Sequence, residues 1–149
     1  MVKAEASVMI DRPVEEVWEF LTDLSKLPKW NFGVEAKQTS AGPLGAGTTL
    51  QLKASRMVYS ARILEFESGK KWTFEFSSGP FKGSIENSSV EKVEGMARFT
   101  RKADLKFSGA YKLLGPFLTP RLKKEYAASV GNLKRMLESE AQSKVQGQV

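Results

Sequence analysis

The chain has 149 residues, 41% of them hydrophobic and 27% charged, with a net charge of +6; that is enough to bury one core without disulfides or metal. Cysteine and histidine are both absent, which excludes thiol nucleophiles, zinc–thiolate sites, Ser-His-Asp triads and imidazole general bases. No apolar run approaches the ~20 residues of a membrane span and the first residues carry no signal-peptide apolar region, so a cytoplasmic protein is expected. The basic residues fall in short groups, Lys70-Lys71, Arg101-Lys102, Lys123-Lys124 and Lys134-Arg135, each beside apolar or acidic residues. They read as a solvated surface rather than a nucleic-acid site.

Val2, Ala4, Ala6, Val8 and Ile10 alternate with polar residues, the period of a half-buried strand. Asp11-Arg12-Pro13 then marks a helix start, with Glu15 and Glu16 at the positive end of the helix dipole. Val14, Val17, Trp18 and Leu21 recur at helical spacing. A second short helix is predicted from Asp23 to Leu27, stopping at Pro28. Strands are predicted near 33–40, 47–55, 57–66, 71–77, 81–92 and 96–107, bounded by Gly-rich and Ser-Gly turns. Short connections imply sequential antiparallel pairing. After Gly115-Pro116 a long helix is predicted over 117–141, with Leu122, Tyr126, Ser129, Val130, Leu133, Met136 and Leu137 inward and Lys123, Lys124, Lys134 and Glu138 outward. Residues 1–142 form one domain in this reading, and the polar end, 143–149, frays. The fold class is α+β: a curved seven-stranded antiparallel sheet around a long C-terminal helix, with two short helices after the first strand. So curved a sheet cannot close completely on one helix, and the gap is a natural cavity.

Several segments, in this order, resemble the START-like superfamily, the polyketide cyclase/dehydrase and lipid transport family with its helix-grip fold. They are Ile10-Asp11-Arg12-Pro13-Val14-Glu15-Glu16-Val17-Trp18, then Leu24-Ser25-Lys26-Leu27-Pro28-Lys29-Trp30, then the Gly-rich hairpin Gly42-Pro43-Leu44-Gly45-Ala46-Gly47-Thr48. The turn Glu65-Phe66-Glu67-Ser68-Gly69-Lys70-Lys71 and the helix Leu133-Lys134-Arg135-Met136-Leu137-Glu138 follow. The resemblance implies a cavity and an apolar ligand, and leaves open whether chemistry happens there.

Alternation nominates the cavity walls. Met57, Tyr59, Ala61 and Ile63 share one strand face, as do Trp72, Phe74 and Phe76, and Phe99, Arg101, Ala103, Leu105 and Phe107. Each aromatic reads either as packed core or as a ligand contact. Arg101 is the sharpest candidate, because a charge on the concave face needs a carboxylate or solvent. Either its guanidinium anchors a ligand carboxylate, carbonyl or phenol, or it reaches outward from a strand end. Tyr59 and Tyr126 are the phenols placed to orient a polar group or to bond backbone. Trp30 and Phe32 flank the exit from the second short helix, where they either border the mouth of such a cavity or seal the core edge. Glu75 and Glu91 read as outward or near strand ends.

The candidate ligand-binding residues are therefore Trp30, Met57, Tyr59, Ile63, Trp72, Phe74, Phe76, Phe99, Arg101 and Tyr126. No catalytic residue is assigned, and neither a cofactor nor a metal is expected. The expected function is binding or carriage of a small hydrophobic molecule, a lipid, polyketide or aromatic metabolite. The alternative is a cyclase, aromatase or dehydratase that works by folding a reactive chain and assisting proton transfer. The expected partner is that hydrophobic ligand, with no nucleic acid. The apolar connection Ala110–Leu118, with Lys112, Arg121, Lys123 and Lys124 nearby, either packs the helix start or gates the cavity and touches an anionic membrane transiently.

Overall fold

The computed structural model describes residues 2–31, 33–54 and 56–146, with 140–146 by backbone alone. The alternating N-terminus forms β1 (Val2–Ile10), and Asp11-Arg12-Pro13 turns the chain into α1 (Val14–Thr22). Val17, Trp18, Phe20 and Leu21 of α1 are buried. A 3-10 turn at Leu24–Lys26 leads into α2 (Leu27–Trp30). Pro28, expected to end the second helix, sits instead in the first turn of α2, where its missing N–H has no intrahelical partner to lose. Phe32, paired with Trp30 in the sequence reading, lies outside the described residues.

Six more strands follow: β2 (Val34–Gln38), β3 (Thr49–Ala54), β4 (Met57–Glu67), β5 (Lys71–Phe76), β6 (Ile85–Val93) and β7 (Met96–Leu105). They form one seven-stranded sheet in the order β1-β7-β6-β5-β4-β3-β2. Every pairing is antiparallel, and β1 returns to the last strand, with Ala6 opposite Arg101 and Val8 opposite Phe99. The register shifts between Ile63 and Glu65, so that Ile63 faces Phe74 while Phe66 faces Trp72. Such a bulge bends the strand and changes its parity. Phe66 thereby joins the inner side, edge-on to Trp18 at 5.6 Å. β6 begins four residues later than predicted, because Gly79 and Gly83 take positive φ in the turn before it. A Cβ on Gly79 would stand 2.8 Å from that of Tyr59. Ser84 then staples β6 to β7, its Oγ accepting the Lys106 N–H at 2.7 Å.

The long helix α3 (Tyr111–Gln146) starts six residues before the predicted boundary and contains Pro116 and Pro120. Gly115 does not break it. A Cβ there would lie 3.1 Å from the Phe107 ring, so glycine permits close packing of the helix against the end of the sheet. Thr119 Oγ1 donates to the Gly115 carbonyl at 2.7 Å, beside the backbone bonds the prolines cannot make. The helix continues through Ser143 to Gln146, and residues 147–149 lie outside the described residues. Lys134 and Glu138, expected to face solvent, tie α3 to the end of β1. Lys134 Nζ donates to the Met9 carbonyl at 2.6 Å, and Glu138 accepts the Asp11 N–H at 3.1 Å.

The packed core occupies one half of the concave side. Ile10, Val17, Leu21, Ile63, Phe99, Leu133 and Leu137 meet there, all buried. No helix among the described residues is long and apolar enough to cross a membrane.

Candidate ligand pocket

The other half of the concave side is not filled. Between β2–β7, α2 and the N-terminal half of α3 lies a pocket of about 350 Å³, within the range of small-molecule sites. Leu50 and Leu52 of β3, Trp72, Phe74 and Phe76 of β5, and Leu118 and Leu122 of α3 supply much of its apolar wall. Ala54, Met57, Tyr111, Arg121 and Glu125 are lining residues with partial or full exposure, and they mark its mouth.

Of the ten residues nominated from the sequence, eight line this pocket: Trp30, Met57, Tyr59, Trp72, Phe74, Phe76, Arg101 and Tyr126. Ile63 and Phe99 do not. They share the correct strand face but sit deeper along it, at 1% and 0% exposure in the core. Phe99 meets Trp30 edge to face at 6.0 Å, and Trp30 is the junction between core and pocket.

Arg101 does point inward, and its charge is already answered. Its Nε and Nη2 donate to Glu86 Oε1 at 2.9 Å and 2.5 Å. Nη1 donates to Ser129 Oγ at 2.6 Å, which in turn donates to the Tyr126 carbonyl at 2.8 Å. Tyr126 donates its phenolic O–H to Glu86 Oε2 at 2.7 Å. The guanidinium also stacks over the Tyr126 ring at 4.2 Å. A β-strand pair, Glu86 on β6 and Arg101 on β7, is thus locked to α3 through Tyr126 and Ser129. These groups are almost fully buried, Arg101 and Glu86 at 5% each. The cluster is electrically neutral as a whole, and two of the five guanidinium N–H groups remain outside these bonds.

The electrostatics follow from that arrangement. Burial pushes the Tyr126 phenol well above its usual pKa, and the adjacent Glu86 carboxylate pushes the same way. Tyr59 is raised to about 12, again by burial first and Glu86 second. Burial works against the Arg101 charge, but Glu86 and the two tyrosines outweigh it and hold the guanidinium protonated. At neutral pH the two phenols and the guanidinium therefore keep their protons and serve as hydrogen-bond donors. Among the described lining residues Glu86 is the buried carboxylate, Glu125 being exposed at the mouth, and both Glu86 oxygens accept hydrogen bonds.

Apolar alternation does not reveal Glu86 and Ser88, and helical spacing puts Ser129 on the inward stripe without giving it a role. Glu86, Ser88 and Val90 share one face of β6, continued by Ser84 just before the strand, and three polar residues in four hide which face is inward. An unpaired arginine on the facing strand was the available signal, since a buried guanidinium demands a carboxylate. In register, Arg101 stands opposite Ser88, with Glu86 opposite Ala103, so the partner lies on the diagonal.

The fold is shared widely. The chain aligns with the crystal structure of TTHA0849 from Thermus thermophilus over 93% of its length and 99% of that chain, at TM-score 0.77 and 16% identity. The Aha1 dimer from Colwellia psychrerythraea matches at TM-score 0.68 and 17% identity, covering 93% of this chain and 97% of that one. DynU16, a putative protein of the dynemicin biosynthetic locus, matches at TM-score 0.68 and 19% identity over 93% of this chain but 48% of its own. At such identities the likeness is one of fold. Curated protein sequences give no match. The sequence model for polyketide cyclase/dehydrase and lipid transport, in contrast, matches residues 1–138, and the chain belongs to that family.

Proposed function

We propose that the pocket binds or carries a small, uncharged, largely apolar molecule with one hydrogen-bonding group, such as a lipid, a polyketide or an aromatic metabolite. The observation that carries this reading is the Arg101–Glu86–Tyr126 cluster set in an otherwise apolar wall. An acidic ligand would compete with Glu86 for Arg101 and bring a second negative charge into a buried site. A hydroxyl or carbonyl can use the guanidinium N–H groups that remain, without disturbing the pair. The cysteine-free composition accords with a cytoplasmic protein, and the family supports an apolar ligand.

The second reading, a cyclase or dehydratase, rests on Glu86 as a carboxylate within reach of a bound substrate. Its two oxygens are already engaged by Arg101 and Tyr126, which favours carriage over proton transfer.

A long-chain alcohol and the carboxylic acid of the same chain length separate these chemistries. Displacement of a neutral fluorescent naphthylamine probe should give the alcohol at least ~10-fold tighter binding, the equivalent of one ~1.4 kcal/mol charge-burial penalty. Tighter binding of the acid, or no saturable uptake of probe or alcohol, would overturn the reading.

A further inference from the structure

The first turns of α3 present an apolar patch that none of the described residues covers. Leu113 and Phe117 are 82% and 81% exposed, and Leu114 is 49% exposed. At 3.6 residues per turn, Leu113 and Phe117 share a face with Arg121 and Lys124, opposite the Gly115, Leu122 and Tyr126 side that packs inward. Lys112 and Lys123 flank that face. Lys112, Lys123 and Lys124 make no ion pair among the described residues, while Arg121 is held by Glu125 at 3.2 Å. An exposed aromatic and two leucines ringed by unpaired lysines combine the two features by which a helix enters an anionic interface.

We propose that this face docks the protein on an anionic lipid bilayer, with Leu113 and Phe117 entering the headgroup boundary and Lys112, Lys123 and Lys124 meeting lipid phosphates and carboxylates. A second copy of the chain is the poorer occupant, because a symmetric contact would set the same lysines against one another. The docking face also adjoins the pocket. Tyr111, Leu118 and Arg121 of the same turns line it, so docking brings the mouth to the membrane surface. This goes beyond the ligand reading and stands or falls separately, because vesicle binding can be read with the pocket empty.

The test is cosedimentation with phosphatidylcholine vesicles made with and without phosphatidylserine. The protein should partition onto the phosphatidylserine vesicles and be released by salt. Replacing Phe117→Ser should weaken partitioning about tenfold, and Lys123→Gln with Lys124→Gln about fivefold per lysine. All three side chains are exposed, and an unchanged circular dichroism spectrum checks that the fold persists. Should the Phe117 variant fail to fold, the lysine pair keeps the test intact. No partitioning onto phosphatidylserine vesicles, equal partitioning onto phosphatidylcholine alone, or variants that bind like the parent would overturn the proposal. So would a concentration-dependent dimer that the Phe117 variant abolishes.

Discussion

Replacing Arg101→Met should cost the folded state about 3–5 kcal/mol, read as a shift in the urea unfolding midpoint. The cost comes less from the lost attraction than from what is left behind. Glu86 keeps only the Tyr126 hydroxyl, and its Oε1, which accepted two guanidinium N–H groups, faces an apolar wall. Ser129 loses a donor at the same time. Glu86→Gln should be similarly costly, since it strands the guanidinium instead. The combination Glu86→Met with Arg101→Met should cost less than either single change, because two apolar side chains replace two charges. A loss below about 1 kcal/mol in both single variants would mean that the pair behaves like a solvated surface bridge.

Phe99→Ala should cost a comparable ~3–5 kcal/mol by the same measurement, for a different reason. Phe99 is fully buried, sits against Trp30 and is not among the residues that line the pocket, so its removal should leave a closed cavity in the packed half. Phe74→Ala should cost only about 1–2 kcal/mol, part of the transfer energy of one half-buried ring. Phe74 already borders the pocket, and its removal widens a space that exists. The ratio of the two effects measures where core ends and pocket begins. Equal losses at both positions would place Phe74 in the core.

Phe99 and Phe74 also mark how far the sequence could be read. Period-two alternation reports which face of a strand is inward, and it did so correctly for Met57, Tyr59, Trp72, Phe74, Phe76 and Arg101. It carries no information about position along the strand. Ile63 and Phe99 have the right parity yet lie where α1 and the far half of α3 fill the sheet, so they are core. The seven strands and their antiparallel order were legible because turn glycines and short connections punctuate apolar alternation, and the family through the resemblance of segments such as residues 10–18 and 42–48. Polar alternation was not legible, which is why Glu86 was missed. Gly115 and Pro116 looked like a helix boundary because the Phe107 ring that explains the glycine arrives only through tertiary packing.

Native mass spectrometry of the purified protein, sprayed without organic solvent, tests the pocket most directly. A neutral small molecule should travel with the protein, or a long-chain alcohol should add in a one-to-one ratio. Ser88→Phe, which projects a ring into the pocket beside Arg101, should abolish either adduct while leaving the fold intact. A parent protein that takes up neither, or a Ser88→Phe variant that binds as well as the parent, would contradict a ligand held in this pocket.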